Sequence, residues 1–292
     1  MPDPQSQTRL GLLGDCFIYT APAIHSHVCR HSVTIACALT QEPLTVSVGA
    51  KQWRGRLLAV RPFVARRMDS GARPAALVDL EPSHTRYSTF SRGALAEPVL
   101  VLDEHRFAGL LSCAQAFAMR ALTGRQLHAA MQLQISSLAD GVARYLPPDA
   151  RALQMMASLR IDPGQSLAAL GRQVGMSATL ASRRFVEALG ISVRQFSLAV
   201  KIQRAAALYG SGRSLTEVAQ IAGFSDSSHL AKVWRRCYGG SPSRYFAEHS
   251  SVQEGRIDHA WRQQVSWREL AERSGPPLGG SGAHGLDRPT QP

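Results

Sequence analysis

The chain of 292 residues is long enough for two domains, and its 45% hydrophobic and 18% charged residues exclude a disordered or fibrous protein. Its formal net charge of +12 is typical of proteins that meet nucleic acid or an anionic surface and is unusual for a metabolic enzyme. Because no apolar run approaches the ~18 residues of a membrane span, we expect no membrane-spanning segment.

The positive charge is concentrated in one part of the chain. Residues 165–247 contain 11 basic and 3 acidic residues, which gives +8 of the total of +12. A local excess of this size favours a phosphate-binding module over a merely solvated basic surface.

The cysteines argue against a disulfide framework and against a structural zinc site. Their number is odd and no two have CxxC spacing; they are Cys16, Cys29, Cys37, Cys113 and Cys237. This usage is typical of a reducing compartment, so we expect the protein in the cytoplasm. A redox-sensing role for Cys29 and Cys37 stays open as an alternative.

The first third of the chain has the pattern of short β-strands. From Phe17 to Leu80, apolar residues alternate with polar or small ones, as in Val33, Ile35 and Cys37. Turns that contain proline or glycine separate the candidate strands. The pattern predicts a small antiparallel β-barrel or sandwich.

Two histidines in this region could bind one metal ion. His25 and His27 lie one residue apart, so both would point to the same face of a strand. A cupin enzyme would need a third histidine, and the segment from Arg61 to Arg66 contains none. We therefore expect no metal and no other cofactor.

Arginines in the same region could instead hold an anionic effector, or they could be exposed loop charges. They are Arg61, Arg66, Arg67 and Arg73. Our candidate effector contacts are His25, His27, Arg61 and Arg66.

The hydrophobic period changes to 3.6 after Asp103, which is a candidate N-cap. One predicted helix has an apolar face of Phe107, Leu110, Leu111, Ala114 and Phe117. A second, after Gly124, has an apolar face of Leu127, Met131, Ile135, Leu138 and Val142. These helices could fill the core or pair across a homodimer.

The last third of the chain contains two helix-turn-helix patterns, at about 166–187 and 214–237. In the first, Gly175 provides the turn, Ser177 caps the second helix, and the expected buried residues are Leu180, Phe185 and Leu189. In the second, Ser214 and Glu217 form a capping box and Gly223 provides the turn. An unbroken helix from Val193 to Tyr209 connects the two.

The second unit contains the run IAGFSDSSHL from Ile221 to Leu230, then Trp234-Arg235-Arg236, then GGSPSRY from Gly239 to Tyr245. This combination resembles the signature of the AraC/XylS family of bacterial transcription regulators, and residues 149–247 resemble the whole of that family's DNA-binding domain. The HxH of His25 and His27, with its strands and two following helices, resembles the cupin-type sensory domain of many members.

In that family two recognition helices enter successive major grooves, and the first half of each helix reads bases. The resemblance assigns base reading to Thr179, Ser182, Arg183, Ser227, Ser228 and Lys232. The basic tips of Arg183 and Lys232 suit the O6 and N7 acceptors of guanine. The arginines expected at phosphates are Arg184, Arg204, Arg235 and Arg236.

Two positions depart from the family pattern. Ala181 and Arg184 lie where members commonly have leucine, so we expect looser packing of the first recognition helix. The aromatic residues of this segment could be mistaken for base-stacking platforms, but their spacing predicts a core role. They are Phe185, Phe196, Phe224, Trp234, Tyr238 and Tyr245.

We therefore predict an α+β protein of two domains. A cupin-like sensory β-barrel at 1–100 is followed by a helical linker or dimerisation region at 101–148, an all-α double helix-turn-helix domain at 149–249 and a tail at 250–292. The predicted function is that of a transcriptional regulator, an activator and not an enzyme. Its expected partners are double-stranded promoter DNA, RNA polymerase, a small-molecule effector and a second copy of the chain, with no membrane. The alternatives are a cupin-like metal enzyme fused to a DNA-binding domain and an architectural DNA binder.

Overall fold

The computed structural model describes residues 8–92, 97–142, 148–208 and 211–243. Its strands lie between Arg9 and Val101, and helices predominate after them. No helix in these ranges is long and apolar enough to cross a membrane. The tail expected at 250–292 lies outside the described residues.

The strands of the described ranges form two antiparallel sheets. The six-stranded sheet has the order β1-β2-β9-β4-β7-β10, and the four-stranded sheet has the order β3-β8-β5-β6. The strands are β1 Arg9–Leu12, β2 Cys16–Ala21, β3 His25–Val28, β4 Val33–Ala38, β5 Leu44–Val48, β6 Lys51–Gly55, β7 Leu57–Val60, β8 Arg66–Asp69, β9 Ala75–Leu80 and β10 Val99–Val101.

The six-stranded sheet is covered on both faces, which explains why β4 is buried along its whole length. Val33, Ile35 and Cys37 belong to the core that the sheet shares with the helices. Ala36 and Ala38 point the other way and pack in the core between the two sheets. This alternation follows from the period of two along a strand.

The two sheets remain open, and the described residues form no closed barrel. The expectation of a barrel was therefore wrong, while the sandwich, which the strand pattern allowed equally, describes the arrangement. The strand pattern could not distinguish them, because alternation along a strand is the same in a barrel and in a sandwich.

Three helices complete the N-terminal half: α1 Tyr87–Ser91, α2 Ala108–Ala118 and α3 Gly124–Val142. The residues expected on the apolar faces of α2 and α3 are buried, except for Val142, which is half-buried. Asp103 is not the N-cap of α2. Its carboxylate accepts the N–H groups of His105 and Arg106 in the turn before the helix, which begins only at Ala108.

The C-terminal half is all α-helical in the described residues. Its helices are α4 Ala150–Ile161, α5 Leu167–Gln173, α6 Ala178–Leu189, α7 Val193–Ala207, α8 Leu215–Ala222 and α9 Ser227–Tyr238. The connecting helix α7 ends two residues before the expected Tyr209, which lies outside the described residues.

The sequence repeat is reproduced in the caps of the helices. Gly175 and Gly223 both have a positive φ in the turn, at 65° and 87°. One residue later, the N–H of Met176 reaches back to the carbonyl of Gly171, and that of Phe224 to the carbonyl of Ala219, both at 2.8 Å. The shared bond is that of a left-handed helix C-cap, so the two turns are built in the same way.

The two halves of the molecule are packed against each other. Ser91 at the end of α1 donates its hydroxyl to the carbonyl of Leu189 at 2.6 Å. Gln203 on α7 donates to the hydroxyl of Ser83 at 3.2 Å. One continuous apolar core extends from the six-stranded sheet through α2 and α3 into α4–α7, so the halves share buried surface.

Candidate nucleic-acid interface

The first candidate recognition helix, α6, starts from a tight turn. Ser177 is its N-cap, and its hydroxyl accepts the N–H of Leu180 at 3.3 Å. A Cβ atom on Gly171 of α5 would lie 2.7 Å from the carbonyl oxygen of Met176, so this close approach requires glycine. The turn therefore fixes α6 against α5 at a defined angle.

The base-reading candidates on α6 are accessible. Thr179 and Arg183 are exposed, and Ser182 is half-buried. An open groove beside the helix is lined by these three residues together with Leu167 and Glu187. The first half of α6 thus presents hydroxyl and guanidinium groups to solvent, as a base-reading helix needs.

Arg183 is held by a neighbour on the same helix. Its Nε donates to Oε1 of Glu187 at 2.8 Å, and Arg184 Nη1 lies 3.5 Å from Oε2 of the same carboxylate. Because Glu187 accepts from Nε of Arg183, the edge of the guanidinium formed by its two Nη groups can still form a bidentate pair with one partner.

The second candidate recognition helix, α9, begins at Asp226. The Asp226 carboxylate accepts the N–H of His229 at 2.7 Å, and this hydrogen bond lowers the pKa of Asp226. Ser228 and Lys232 are exposed and Ser227 is half-buried. All candidate base-reading residues are therefore accessible, three on each helix.

One buried position was predicted incorrectly. Leu180 is exposed, and Ala181 is fully buried in its place. The helices α6 and α9 are both twelve residues long and start 49 residues apart, so Ala181 corresponds to the buried Leu230 and Leu180 to the exposed His229. The smaller side chain at this core position is one of the two departures noted in the sequence.

The aromatic residues lie in the core where the structure describes them. Phe185 and Phe196 meet edge to face at 5.5 Å between ring centroids, and Trp234 and Tyr238 meet at 4.6 Å. Phe224 is buried against the second unit. Tyr245 lies outside the described residues.

The four candidate phosphate contacts have different surroundings. Arg184 and Arg235 are exposed. Arg204 donates to the carbonyls of Arg160 and Ile161 at 2.8 and 2.7 Å, so it binds the last turn of α4. Arg236 lies at the contact with the N-terminal half, where its Nη2 is 3.4 Å from Nε2 of His31.

Of the candidate effector residues, His25 and His27 lie on β3 and Arg66 lies on the paired strand β8, but their burial differs. His25 is exposed and pairs with Asp69 at 3.1 Å, and His27 is exposed on the same strand. Arg61 is half-buried. Arg66 was expected in a loop, but it lies on β8 and is 1% exposed. The described residues contain no group of three or more histidine, cysteine or acidic side chains that could hold a metal ion.

A buried polar network surrounds Arg66. The Arg66 guanidinium donates to the hydroxyl of Thr34, which in turn bonds Asp79, and Asp79 also pairs with Arg30. Nε and Nη1 of Arg66 make no hydrogen bond with any described residue. Burial, with the adjacent Arg30, lowers the pKa of Arg66 to about 10.

This network was not predicted from the sequence. The carboxylate of Asp79 lies within the apolar strand β9, between Val78 and Leu80, and this was the one signal of a buried charge. Glu81 extends the acidic side of the network, and its burial, with Asp79 nearby, raises its pKa to about 8.

The contact between α9 and the sheets was also missed. The N–H of Cys29, after β3, donates to the carbonyl of Arg236 at 2.9 Å. Nδ1 of the buried His31 lies 3.2 Å from Sγ of Cys237. Burial and the Arg236 charge lower the pKa of His31 to about 4, so its ring is neutral at pH 7.

Comparison with known proteins gives a family match for one segment and matches to several solved structures. Residues 170–248 match the AraC-type family described as a helix-turn-helix domain. No curated protein matches the chain significantly.

Among solved structures, ToxT from Vibrio cholerae is similar. The crystal structure of an apo variant has 10% identity and a TM-score of 0.53, over 80% of this chain and 97% of ToxT. A second ToxT structure has 13% identity and a TM-score of 0.53, over 79% and 96%. A third, with a bound unsaturated fatty acid, has 11% identity and a TM-score of 0.50, over 79% and 94%. At such identities the likeness shows a shared two-domain fold.

Proposed function

We propose that this chain is an AraC-family DNA-binding regulator whose two candidate recognition helices, α6 and α9, act together on one promoter site; the match of residues 170–248 to an AraC-type helix-turn-helix domain supports this. One observation carries the proposal. The helices α6 and α9 have the same length, begin at polar N-caps and end at left-handed glycines, Gly190 and Gly239. Two equivalent helices presented in this way favour sequence-specific binding over an architectural role.

In the proposed complex, Arg183 and Lys232 read guanine edges in the major groove. They occupy equivalent positions, 49 residues apart, on α6 and α9. Thr179, Ser182, Ser227 and Ser228 make weaker hydroxyl contacts with bases. The exposed Arg184 and Arg235 contact phosphates. We assign Arg204 to the packing of α4, since its guanidinium is already bound to two carbonyls.

The N-terminal half is proposed to sense an anionic effector through Arg66. This guanidinium is buried, and two of its N–H-bearing nitrogens make no hydrogen bond with the described residues. A carboxylate would complete its hydrogen bonds with favourable charge. The ToxT structure with an unsaturated fatty acid suggests the class of carboxylate to try first.

We propose further roles on the basis of the family resemblance. The protein acts in the cytoplasm as an activator that contacts RNA polymerase at the promoter. It dimerises through the exposed side of α3, where Leu133 is 67% exposed. The alternative of a cupin-like metal enzyme is not favoured, because His25 pairs with Asp69 rather than facing a third metal ligand.

Selection of bound duplexes from a random pool tests the DNA proposal. The full chain should enrich a defined sequence, and the Arg183→Ala, Lys232→Ala double variant should not. Arg54→Ala, which removes an exposed arginine from strand β6, is the matched control and should enrich the wild-type sequence. Equal enrichment of unrelated sequences by the wild type would reject sequence-specific regulation.

A thermal-shift measurement tests the effector proposal. An unsaturated fatty acid should raise the unfolding midpoint, and its methyl ester should not, because the ester lacks the negative charge that Arg66 would bind. Arg67→Gln, an exposed neighbour on β8, should respond as the wild type does, whereas Arg66→Gln should not respond. Equal shifts by acid and ester would contradict a carboxylate site at Arg66.

A further inference from the structure

The last turn of α9 is attached to the N-terminal half by its backbone. The N–H of Cys29 donates to the carbonyl oxygen of Arg236 at 2.9 Å. The guanidinium of Arg30 stands 5.4 Å from the centroid of the Tyr238 ring. The end of the second recognition helix therefore packs on the loop between β3 and β4.

This attachment brings two cysteines from different halves of the molecule together. Cys237 directly follows Arg236, whose carbonyl is bonded to Cys29. With standard peptide geometry, this bond limits the Cα separation of Cys29 and Cys237 to about 7 Å. Disulfides span Cα separations of about 4.4–6.8 Å, so this upper limit is close to the separation that a disulfide requires. Both cysteines are free thiols.

Charged groups of both signs surround the two thiols. Both thiols lie near the buried Arg66, while Arg30 and Arg236 act on Cys237 against burial and the Glu81 carboxylate, which raise its pKa. The thiolate is the form that reacts with oxidants. Cys29 is half-buried and Cys237 is 2% exposed, so an oxidant in solution reaches Cys29 first.

His31 supports Cys237 directly. Arg236 can only donate hydrogen bonds, so Nε2 of His31, at 3.4 Å, accepts from it. The neutral ring then carries its hydrogen on Nδ1 and donates it to Sγ of Cys237 at 3.2 Å. This donated hydrogen bond favours negative charge on the sulfur, although burial raises the pKa of Cys237 to about 12.

We propose that Cys29 and Cys237 form a reversible disulfide in the presence of a hydroperoxide, and that this bond clamps α9 to the N-terminal half and weakens DNA binding. With hydrogen peroxide, the thiolate of Cys29 attacks one peroxide oxygen, the O–O bond breaks, the sulfenic acid forms and hydroxide leaves; the hydroxide takes up the proton that the Cys29 thiol had released and becomes water. Sγ of Cys237 then attacks Sγ of Cys29, and the departing hydroxide takes the thiol proton of Cys237 to form a second water. The peroxide is reduced and the two thiols are oxidised.

The consequence for DNA binding rests on the proposed function. The residues proposed to read bases lie in the first half of α9, and the clamp holds the last turn of the same rigid helix. A clamped α9 keeps the arrangement of the docked state, so it cannot adjust its angle to the groove while α6 is engaged. In a reducing cytoplasm the disulfide is absent, and only the noncovalent contacts hold α9 to the N-terminal half.

The full chain is to be treated with hydrogen peroxide, blocked with an alkylating agent and mapped as peptides without reduction. We expect a Cys29–Cys237 linkage in the wild type and in Cys113→Ser, a control that removes another half-buried cysteine, on α2. Cys29→Ser should not form it. Peroxide should raise the apparent Kd for a duplex selected with the reduced wild type about tenfold, and a thiol reductant should reverse this.

Each result decides the proposal. Absence of the linkage in the folded wild type overturns it, as does an equal loss of affinity in Cys29→Ser. Slower hydrogen exchange of the α9 amides after oxidation supports the clamp without use of DNA, and unchanged exchange overturns it. If the reduced protein selects no duplex, the proposed function fails, while the linkage and the exchange still decide the disulfide.

Discussion

The backbone carbonyl oxygen of Ser91 lies 2.6 Å from the position that a Cβ atom would occupy on Gly190. Ser91 ends α1 in the N-terminal half, and Gly190 is the left-handed C-cap of α6, with φ of 71°. The first recognition helix therefore ends so close to the N-terminal half that only glycine fits there. The two halves are coupled at α6 by this contact and at α9 by the loop after β3.

Alanine at Gly190 tests the tightness of this contact. In Gly190→Ala the alanine has to adopt a left-handed conformation, and its Cβ atom collides with the backbone of Ser91. We therefore expect a loss of about 2–4 kcal/mol in the free energy of unfolding. Gly212→Ala is the matched control, since Gly212 has φ of 70° but nothing within 4 Å of its Cβ position. It should lose only about 1 kcal/mol. Denaturant unfolding of both variants measures the difference, and equal losses would show that the halves do not meet tightly at Gly190.

The sequence predicted local structure best where caps and periodicity agree. Ser177 and Ser214 are the N-caps that the sequence predicts, and Ser214 forms the predicted capping box with Glu217. These features depend on hydrogen bonds within three or four residues, so the sequence pattern contains them. The family resemblance of the C-terminal half is confirmed over residues 170–248. It too was based on short continuous motifs, which one sequence shows directly.

The contacts between distant segments could not be predicted in this way. Nothing in the local sequence pattern singles out His31, yet it contacts Cys237, 206 residues away. Arg66 looked like a loop charge, because nothing local shows that two sheets close over it. Such features depend on which faces of distant segments pack together, and local patterns in one sequence do not show this.

Glu81 is expected to make stability depend on pH. Burial raises its pKa from 4.5 to about 8, so folding favours its protonated form. The contribution of this group to stability is complete below pH 4.5 and is lost as the pH rises through about 8. We therefore expect Glu81 to lower the free energy of unfolding progressively over this window.

Glu81→Gln imitates the protonated carboxyl and should remove this loss. At pH 8–9 the variant should be more stable than the wild type by on the order of 3 kcal/mol, and at pH 5 the two should be nearly equal. Glu97→Gln, which changes an exposed carboxylate paired with Lys51, is the control and should follow the wild type. The measurement is denaturant unfolding at several pH values, and an unchanged pH slope in Glu81→Gln would contradict the buried, protonated carboxyl.

Single substitutions should separate base reading from phosphate binding. Arg183→Ala and Lys232→Ala should each cost about 1–3 kcal/mol of binding and relax the preference at one or two base pairs. Arg235→Ala should weaken binding to all sequences alike and reduce the salt slope by about one unit. Selection of bound sequences and titrations at several salt concentrations measure both effects. Unchanged preference in both base-reading variants would contradict the assignment.

The distance between the two recognition helices predicts the geometry of the operator. The connecting helix α7 has 15 residues, which is about 22 Å at 1.5 Å per residue, and each unit adds its own offset. This span is compatible with two helices in successive major grooves on one face of DNA, ~34 Å apart. We therefore expect each monomer to protect two short blocks whose centres lie about 10–11 bp apart.

The two blocks should differ in sequence, because the units differ at the reading positions: Ser182 of α6 corresponds to Ala231 of α9. The first block should be the less conserved, since α6 has Ala181 where α9 has the buried Leu230 and is therefore packed by a smaller side chain.

Inserting five base pairs between the blocks places them on opposite faces of the duplex and should abolish binding. Inserting ten should not restore it, because the rigid α7 cannot extend by a further helical turn of DNA, ~34 Å. Footprinting and binding titrations on these three operators measure the effect; normal binding after the five-base-pair insertion would show that one unit alone reads the site.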